Sequence, residues 1–218
     1  MLSKFPVCDV KQLCYLLGAI RDGSLPICGK KKEITLATDP SVEWLKEVAQ
    51  IASEVFSIPL NRFKIYEAKD KKCKKPCYRL KLYSAYVYKI LSKYYEPGDQ
   101  GNWKTPKVVF PLEYIAGFYD AEGGCRNSEK FQQGFTKTIH FWASIRCKHN
   151  GKNEPLLFIQ KLLKQHGIVS HIYDNDELVI TGKENLRKFY SIIPLKHPRK
   201  TEDLRKLLIF TRTSSADA

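Results

Sequence analysis

No stretch of this 218-residue chain stays apolar for the roughly 20 residues that a bilayer span requires. Acidic and polar positions interrupt the first twenty residues, where a secretory leader needs an unbroken apolar core, so a soluble intracellular protein is expected. Close cysteine pairs are lacking too. Seven cysteines are scattered at 8, 14, 28, 73, 77, 125 and 147, and only Cys73 and Cys77 approach metal-ligand spacing. Their odd number argues against a secreted disulfide framework. The histidines, His140, His149, His166, His171 and His197, show no ligand spacing, so solvated or hydrogen-bonded rings are expected rather than zinc. Above all, acid is scarce. Only 23 Asp and Glu face 37 Lys and Arg, a formal charge of +14. Such an excess concentrates polyanions and releases their counterions on binding. No long segment joins a lysine-rich face to a continuous apolar one, so nucleic acid rather than a membrane surface is the expected partner.

What the chain does have is a repeat. Leu13–Ser24 reads Leu-Cys-Tyr-Leu-Leu-Gly-Ala-Ile-Arg-Asp-Gly-Ser, and Leu112–Gly124 reads Leu-Glu-Tyr-Ile-Ala-Gly-Phe-Tyr-Asp-Ala-Glu-Gly-Gly. Both run apolar, reach a glycine, continue apolar, and end in an acid followed by glycine. The periodicity after each also matches. The first half predicts strands over 24–29 and 33–38, a helix over 42–56, strands over 62–68 and 78–83, and a helix over 85–95. The second predicts strands over 125–132 and 138–148, a helix over 154–165 with Gly167 as its stop, strands over 169–173 and 177–181, and helices over 184–193 and 201–210. Prolines and glycines mark a linker at 96–111, leaving halves at 1–95 and 112–218. The expected fold is α+β: αββαββα, duplicated about a pseudo-two-fold axis.

In the two repeated segments, Val10, Leu13, Cys14 and Leu17, and Leu112, Ile115, Ala116 and Tyr119, recur at helical spacing. Gly18 and Ala116-Gly117 would let two helix backbones approach closely. If these helices pair, their carboxyl ends meet and bring Asp22 beside Glu122. Two carboxylates at two negative helix ends repel unless cations lie between them. Mg²⁺ suits such a pocket, because it takes one or two carboxylates with waters and substrate phosphate. Metal-assisted phosphodiester hydrolysis is the chemistry this predicts. The main-chain carbonyls of Arg21 and Ala121 are further candidate ligands.

Ile115–Gly123, Ile-Ala-Gly-Phe-Tyr-Asp-Ala-Glu-Gly, resembles the nine-residue signature of the LAGLIDADG homing endonucleases, in the form with two motifs in one chain. The resemblance implies that the eighth-position acid, Glu122, holds metal, and it gives Asp22 the same role. Leu16–Gly23 is one residue short: three residues separate Gly18 from Asp22, and four separate Gly117 from Glu122. On a regular helix that swings the acid by about 100°. A tightened last turn, permitted by Gly23, would restore its aim. The segments His197-Pro198-Arg199-Lys200 and Trp103-Lys104-Thr105-Pro106 are similar to those bearing the family's active-site lysines. Lys200 and Lys104 are therefore expected in transition-state or water-network roles, with Lys196 as runner-up.

The family also implies a saddle of antiparallel strands over a long double-stranded DNA site, cut to leave short 3′ overhangs, with Mg²⁺ or with Mn²⁺ or Ca²⁺ in its place. Thr138, His140, Trp142, Ser144, Arg146 and Lys148 alternate onto one strand face, and Arg79 and Lys81 do so in the first half. Together with Arg126, Asn127, Lys130 and Gln132 they form a donor-rich surface suited to base edges in a major groove. Lys30, Lys31 and Lys32 suit phosphates. Such a chain would act as a monomer in the cytoplasm or nucleoid of a prokaryote, or in an organelle. The alternatives are an intron-RNA-binding splicing maturase, a non-cleaving DNA-binding regulator, and a basic structural DNA-binding protein.

Overall fold

The computed structural model describes residues 7–27, 32–68, 76–98, 103–127, 137–142, 154–173 and 177–213. The first repeated segment forms helix α1 (Val7–Ala19), continued by one 3-10 turn (Ile20–Asp22), and the second forms α4 (Pro111–Glu122). These two helices make the centre of the molecule. From Leu13 to Ile20 every residue but the glycine is an apolar or aromatic side chain at most 3% exposed, and Tyr114 to Tyr119 is equally enclosed. Enclosure on all sides means each helix is covered by more than its partner alone, which a single apolar stripe would not allow.

After α1 come β1 (Glu33–Asp39), α2 (Val42–Phe56), β2 (Lys64–Glu67), β3 (Tyr78–Tyr83) and α3 (Ala85–Leu91). Ser41 starts α2 by accepting the Trp44 N–H at 3.3 Å, and Trp44, Leu45, Val48, Ala49, Ala52, Val55 and Phe56 bury its inner face. After α4 come β4 (Gly123–Asn127), β5 (Lys137–Trp142), α5 (Glu154–Gln165), β6 (Ser170–Tyr173), β7 (Glu177–Thr181), α6 (Lys183–Ile192) and α7 (Pro198–Thr213).

The two sheets repeat one topology. The second runs β4-β5-β7-β6, all antiparallel, and the first runs β1-β3-β2. Ser24 bridges to Thr35 on the free side of β1, so residues 24–25 stand where β4 stands in the second sheet. This is the duplicated α+β arrangement expected from the repeat.

Several boundaries move for local reasons. The strand expected over 24–29 is represented by bridges at Ser24 and Leu25 alone, since Pro26 has no N–H for a ladder and 28–31 lie outside the described residues. β2 starts at Lys64 rather than 62 because Leu60–Arg62, after Pro59, take a 3-10 turn. Helix α3 ends at Leu91, four residues early, where the Ser92 hydroxyl donates to the Lys89 carbonyl at 3.1 Å. α7 begins three residues early on Pro198, whose missing N–H costs nothing in a first turn. Gly167 does stop α5, with φ at +69°. The remainder of the strands expected over 125–132 and 138–148 lies outside the described residues.

Candidate active site

The crossing of α1 and α4 rests on two glycines used reciprocally. A Cβ on Gly18 would stand 2.1 Å from the Tyr114 carbonyl oxygen, and one on Gly117 would stand 2.0 Å from the Tyr15 carbonyl oxygen. Each glycine thus receives the carbonyl three residues before the other, the signature of a pseudo-dyad. The helices run parallel: Lys11 pairs with Glu113 (4.0 Å) near their beginnings, and the Arg21 guanidinium lies over Phe118 (5.6 Å) near their ends. Their carboxyl tips therefore lie side by side, with Asp22 ending the 3-10 turn and Glu122 ending α4.

The missing residue is absorbed in that 3-10 turn, closed by the Gly23 N–H to the Ile20 carbonyl at 2.7 Å. With 3-10 geometry from Ile20 to Asp22, the paths from Gly18 to Asp22 and from Gly117 to Glu122 both rise about 7.5 Å. The angular mismatch falls from about 100° to about 40°. Gly23 serves the turn through space rather than conformational freedom: its φ is an extended −106°, but a Cβ there would lie 2.2 Å from the Thr35 carbonyl. The Asp22 side chain lies outside what is described.

Around Glu122 the electrostatics are those of an unfinished site. Among the described residues no group donates to its carboxylate or pairs with it. Burial pushes its carboxyl above the ordinary range, and the charges of Arg21 and Lys200 pull it part of the way back. No three His, Cys, Asp or Glu side chains gather as a metal cluster among the described residues. A cation here would lean on few protein oxygens, which suits a metal that keeps its waters and takes substrate phosphate. A half-buried carboxylate without donors, at the negative ends of two helices, fits that ion.

Lys200, on α7, is 8% exposed and its ammonium donates to the carbonyls of Tyr119 (3.3 Å), Asp120 (2.7 Å) and Ala121 (2.8 Å). It caps the tip of α4, where a cation is most favourable. The Ala121 carbonyl, expected at the metal, is thus already an acceptor, with its second lone pair remaining. Lys104, the first-half candidate, is 53% exposed and its nearest acid is Glu96 at 3.8 Å. Lys196 sits 3.7 Å from Glu47. The Arg21 side chain, which the sequence had suggested only through its carbonyl, is 2% exposed and reaches the Trp103 carbonyl at 3.4 Å.

Sequence reasoning passed over the polar residues that tie these parts together. Asp120 is wholly buried; its Oδ2 accepts the Tyr15 hydroxyl (2.6 Å) and the backbone N–H groups of Lys196 (2.8 Å) and His197 (3.1 Å). Burial raises its carboxyl, an effect these donors and the nearby cations oppose. The Tyr15 hydroxyl in turn accepts from the Trp44 indole at 2.9 Å. His197 is wholly buried, 3.3 Å from Asp39. The one signal available was the phase of Asp120 itself, an acid on the apolar face of its helix.

Away from the helix tips, β3 alternates as expected, with Leu80 and Leu82 buried and Arg79 and Tyr83 exposed. Lys81 faces outward with them, paired to Glu33 at 2.6 Å, and the Tyr83 hydroxyl donates to the same carboxylate at 2.5 Å. Lys64 and Tyr66 stand opposite Lys81 and Arg79 in register. Lys32 lies over the Tyr88 ring at 4.8 Å. In the second sheet Arg126 is opposite Thr138, Asn127 opposite Lys137, His140 opposite Val179 and Trp142 opposite Glu177. The side chains of Arg126, Asn127, His140 and Trp142 lie outside the described residues, as do Lys30, Lys31, Lys130, Gln132, Ser144, Arg146 and Lys148 altogether.

Comparison with known proteins agrees with this geometry. Residues 110–194 match the model of the LAGLIDADG-like domain. The homing endonuclease I-ApeI of Aeropyrum pernix is 27% identical over 216 positions, covering 92% of this chain and 88% of that protein. Among solved structures, I-WcaI bound to its DNA recognition sequence superposes with a TM-score of 0.61 at 13% identity, over 93% of this chain and 89% of that one. I-DmoI in complex with DNA and Mn gives 0.53 at 19% identity, over 87% and 99%. The repeat, the glycine crossing and these likenesses converge: the chain is similar in sequence and in fold to the LAGLIDADG homing endonucleases, with both motif helices in one polypeptide.

Proposed function

We propose that this chain is a site-specific endonuclease that hydrolyses both strands of a long double-stranded DNA site, acts as a monomer, and leaves short 3′ overhangs. One observation carries the reading: two parallel helices, locked at Gly18 and Gly117, set Glu122 and the end of the Asp22 turn side by side, and Glu122 has no protein donor among the described residues. Asp22 and Glu122 would hold Mg²⁺, or Mn²⁺ or Ca²⁺ in its place, with the Arg21 and Ala121 carbonyls nearby. The ion would supply Lewis-acid stabilisation of the phosphoryl charge and an acidified water. I-DmoI, a neighbour in fold, has been solved with DNA and Mn, with DNA and Ca, and, as a single-residue variant, with its target DNA in the presence of Mg. Lys200 supports the Glu122 tip, and Lys104 is free to swing toward a phosphate. Arg79, Lys81, Lys64, Tyr66 and Tyr83 face outward from the first sheet toward the DNA, and the matching face of β4 and β5 takes the other half-site. The halves 1–95 and 112–218 each serve one side of the site, joined through 96–111.

Purified protein with Mg²⁺ cuts one duplex selected from a randomised pool, and Glu122→Gln lowers the rate at least about a thousandfold while binding is kept. Undiminished cutting by that variant removes the mechanism. Tight binding of a folded intron RNA, with no DNA nicked, makes the chain a maturase instead.

A further inference from the structure

Asp39 and His197 come from different sheets' neighbourhoods and meet in the interior. Asp39 ends β1 and is 5% exposed; its Oδ1 accepts the Ser41 N–H at 2.6 Å and faces His197 Nε2 at 3.3 Å. The imidazole is stacked on Trp44, with centroids 5.3 Å apart. Its Nδ1 receives the Lys200 N–H at 3.4 Å, which leaves the ring proton on Nε2, toward Asp39. The His197 N–H is given to Asp120 at 3.1 Å. Burial alone would raise the Asp39 carboxyl, yet the hydrogen bonds from the His197 ring and the Ser41 N–H, with the nearby Lys200 charge, hold it below its ordinary value.

We propose that Asp39 and His197 are a positioning pair, through which β1 of the first half clamps the Lys196–Lys200 segment onto the tip of α4 and so fixes Glu122. The inference rests on the nuclease reading for its consequence, though not for its geometry. Neither side chain reaches Glu122; the pair acts through Lys200, whose ammonium holds three α4 carbonyls, and through the His197 backbone N–H on Asp120. His197 also lies beyond the matched domain, which ends at 194, so the clamp is not contained in that unit. On the α1 side the described contacts of comparable place are the Tyr95 hydroxyl on the Leu17 carbonyl and the Arg21 bond to Trp103 at 3.4 Å, and neither involves Asp39 or His197. The pair therefore supports one helix tip and not the other.

The test uses the full chain with Asp39→Asn, His197→Ala and His197→Gln, and with Ile159→Val as a core control. Amide hydrogen exchange is read at Gly123 and Gly23, which end the two tips, and the nicking rate of each strand is read on the selected duplex with Mg²⁺. Asp39→Asn and His197→Ala are expected to speed Gly123 exchange at least tenfold relative to Gly23 and to shift the ratio of strand rates at least fivefold. DNA affinity should stay within twofold. His197→Gln, which keeps a donor toward Asp39, should restore most of both ratios, and Ile159→Val should move neither. Equal acceleration at both glycines, or an unmoved strand ratio in a chain that cuts, overturns the proposal and leaves an ordinary core hydrogen bond. If the unsubstituted chain cuts nothing, the nuclease reading fails while the exchange ratio still decides the clamp. Should His197→Ala not fold, Asp39→Asn and His197→Gln carry the same measurement.

Discussion

The two helix tips share a crossing but not a construction. α4 runs as a regular helix to Glu122, its last carbonyls gathered by a buried lysine and its Asp120 Oδ2 satisfied by three donors. α1 gives way to a 3-10 turn at Ile20, is tied by the Tyr95 hydroxyl donating to the Leu17 carbonyl and by a long bond from Arg21 to Trp103, and has its candidate lysine in solvent. At the position that pairs with Asp120 in the glycine register, the first half carries Arg21, an opposite charge. A duplicated fold thus preserves the backbone meeting point strictly while the side chains behind it diverge. What stays symmetrical is the approach of the two helix backbones to each other; what drifts is how each tip is held.

The comparison breaks most completely at its shared element. Gly117→Ala places a Cβ 2.0 Å from the Tyr15 carbonyl, and Gly18→Ala places one 2.1 Å from that of Tyr114. Both neighbours are helix backbone, which cannot turn aside as a side chain could. Each substitution should cost about 3 kcal/mol or more and separate the tips, abolishing cleavage. Thermal unfolding and DNA cutting should fail together, and equally for the two glycines. A variant that keeps wild-type stability would show that the helices do not cross there.

The glycines were also the most legible part of the chain, because a small residue at a fixed place in two matching apolar runs has few other readings. Four elements, α2, β3, α5 and β7, fall at the residues expected from the sequence pattern: α2 and α5 are amphipathic runs, β3 alternates, and β7 is a short apolar run. The 3-10 turn at Ile20–Asp22 follows from counting residues between glycine and acid. Pairing within the interior was not legible. Tyr15 with Asp120, or Asp39 with His197, are separated by 105 and 158 residues, and periodicity shows that a face is buried but not which polar groups meet on it. The difference between Lys104 and Lys200 was hidden for the same reason: burial of a lysine depends on the tertiary position of the segment that bears it.

That difference is the next place to press. Lys200→Met leaves three carbonyls without their ammonium and should destabilise the chain by about 1–3 kcal/mol. It should also slow cutting about a hundredfold by loosening the Glu122 tip. Lys104→Met removes an exposed charge 3.8 Å from Glu96, so stability should move by less than about 0.5 kcal/mol. If the two variants lose stability equally, the asymmetry between the tips is not real in solution.

The smallest effect is also the most diagnostic of a site built for a cation. Because burial raises the Glu122 carboxyl, the folded chain binds this proton more tightly than the unfolded one does. Stability from this group is therefore greatest in acid, falls as pH rises from the ordinary carboxylate value through the raised one, and stays reduced above it. Glu122→Gln removes that penalty. Without metal at neutral pH the variant should melt at a higher temperature than its parent. The gain should vanish below the carboxylate range. Asp39, held below its ordinary value, works in the opposite sense: its contribution is present above the carboxylate range and lost as pH falls through its lowered value. That residue is common to both proteins, so the difference in melting at each pH isolates Glu122. Adding Ca²⁺ should then reverse the order, since ligand binding stabilises only the chain that holds the ion. A Gln variant less stable than its parent at neutral pH without metal would mean that Glu122 already has a partner, and the pocket would not be waiting for a cation.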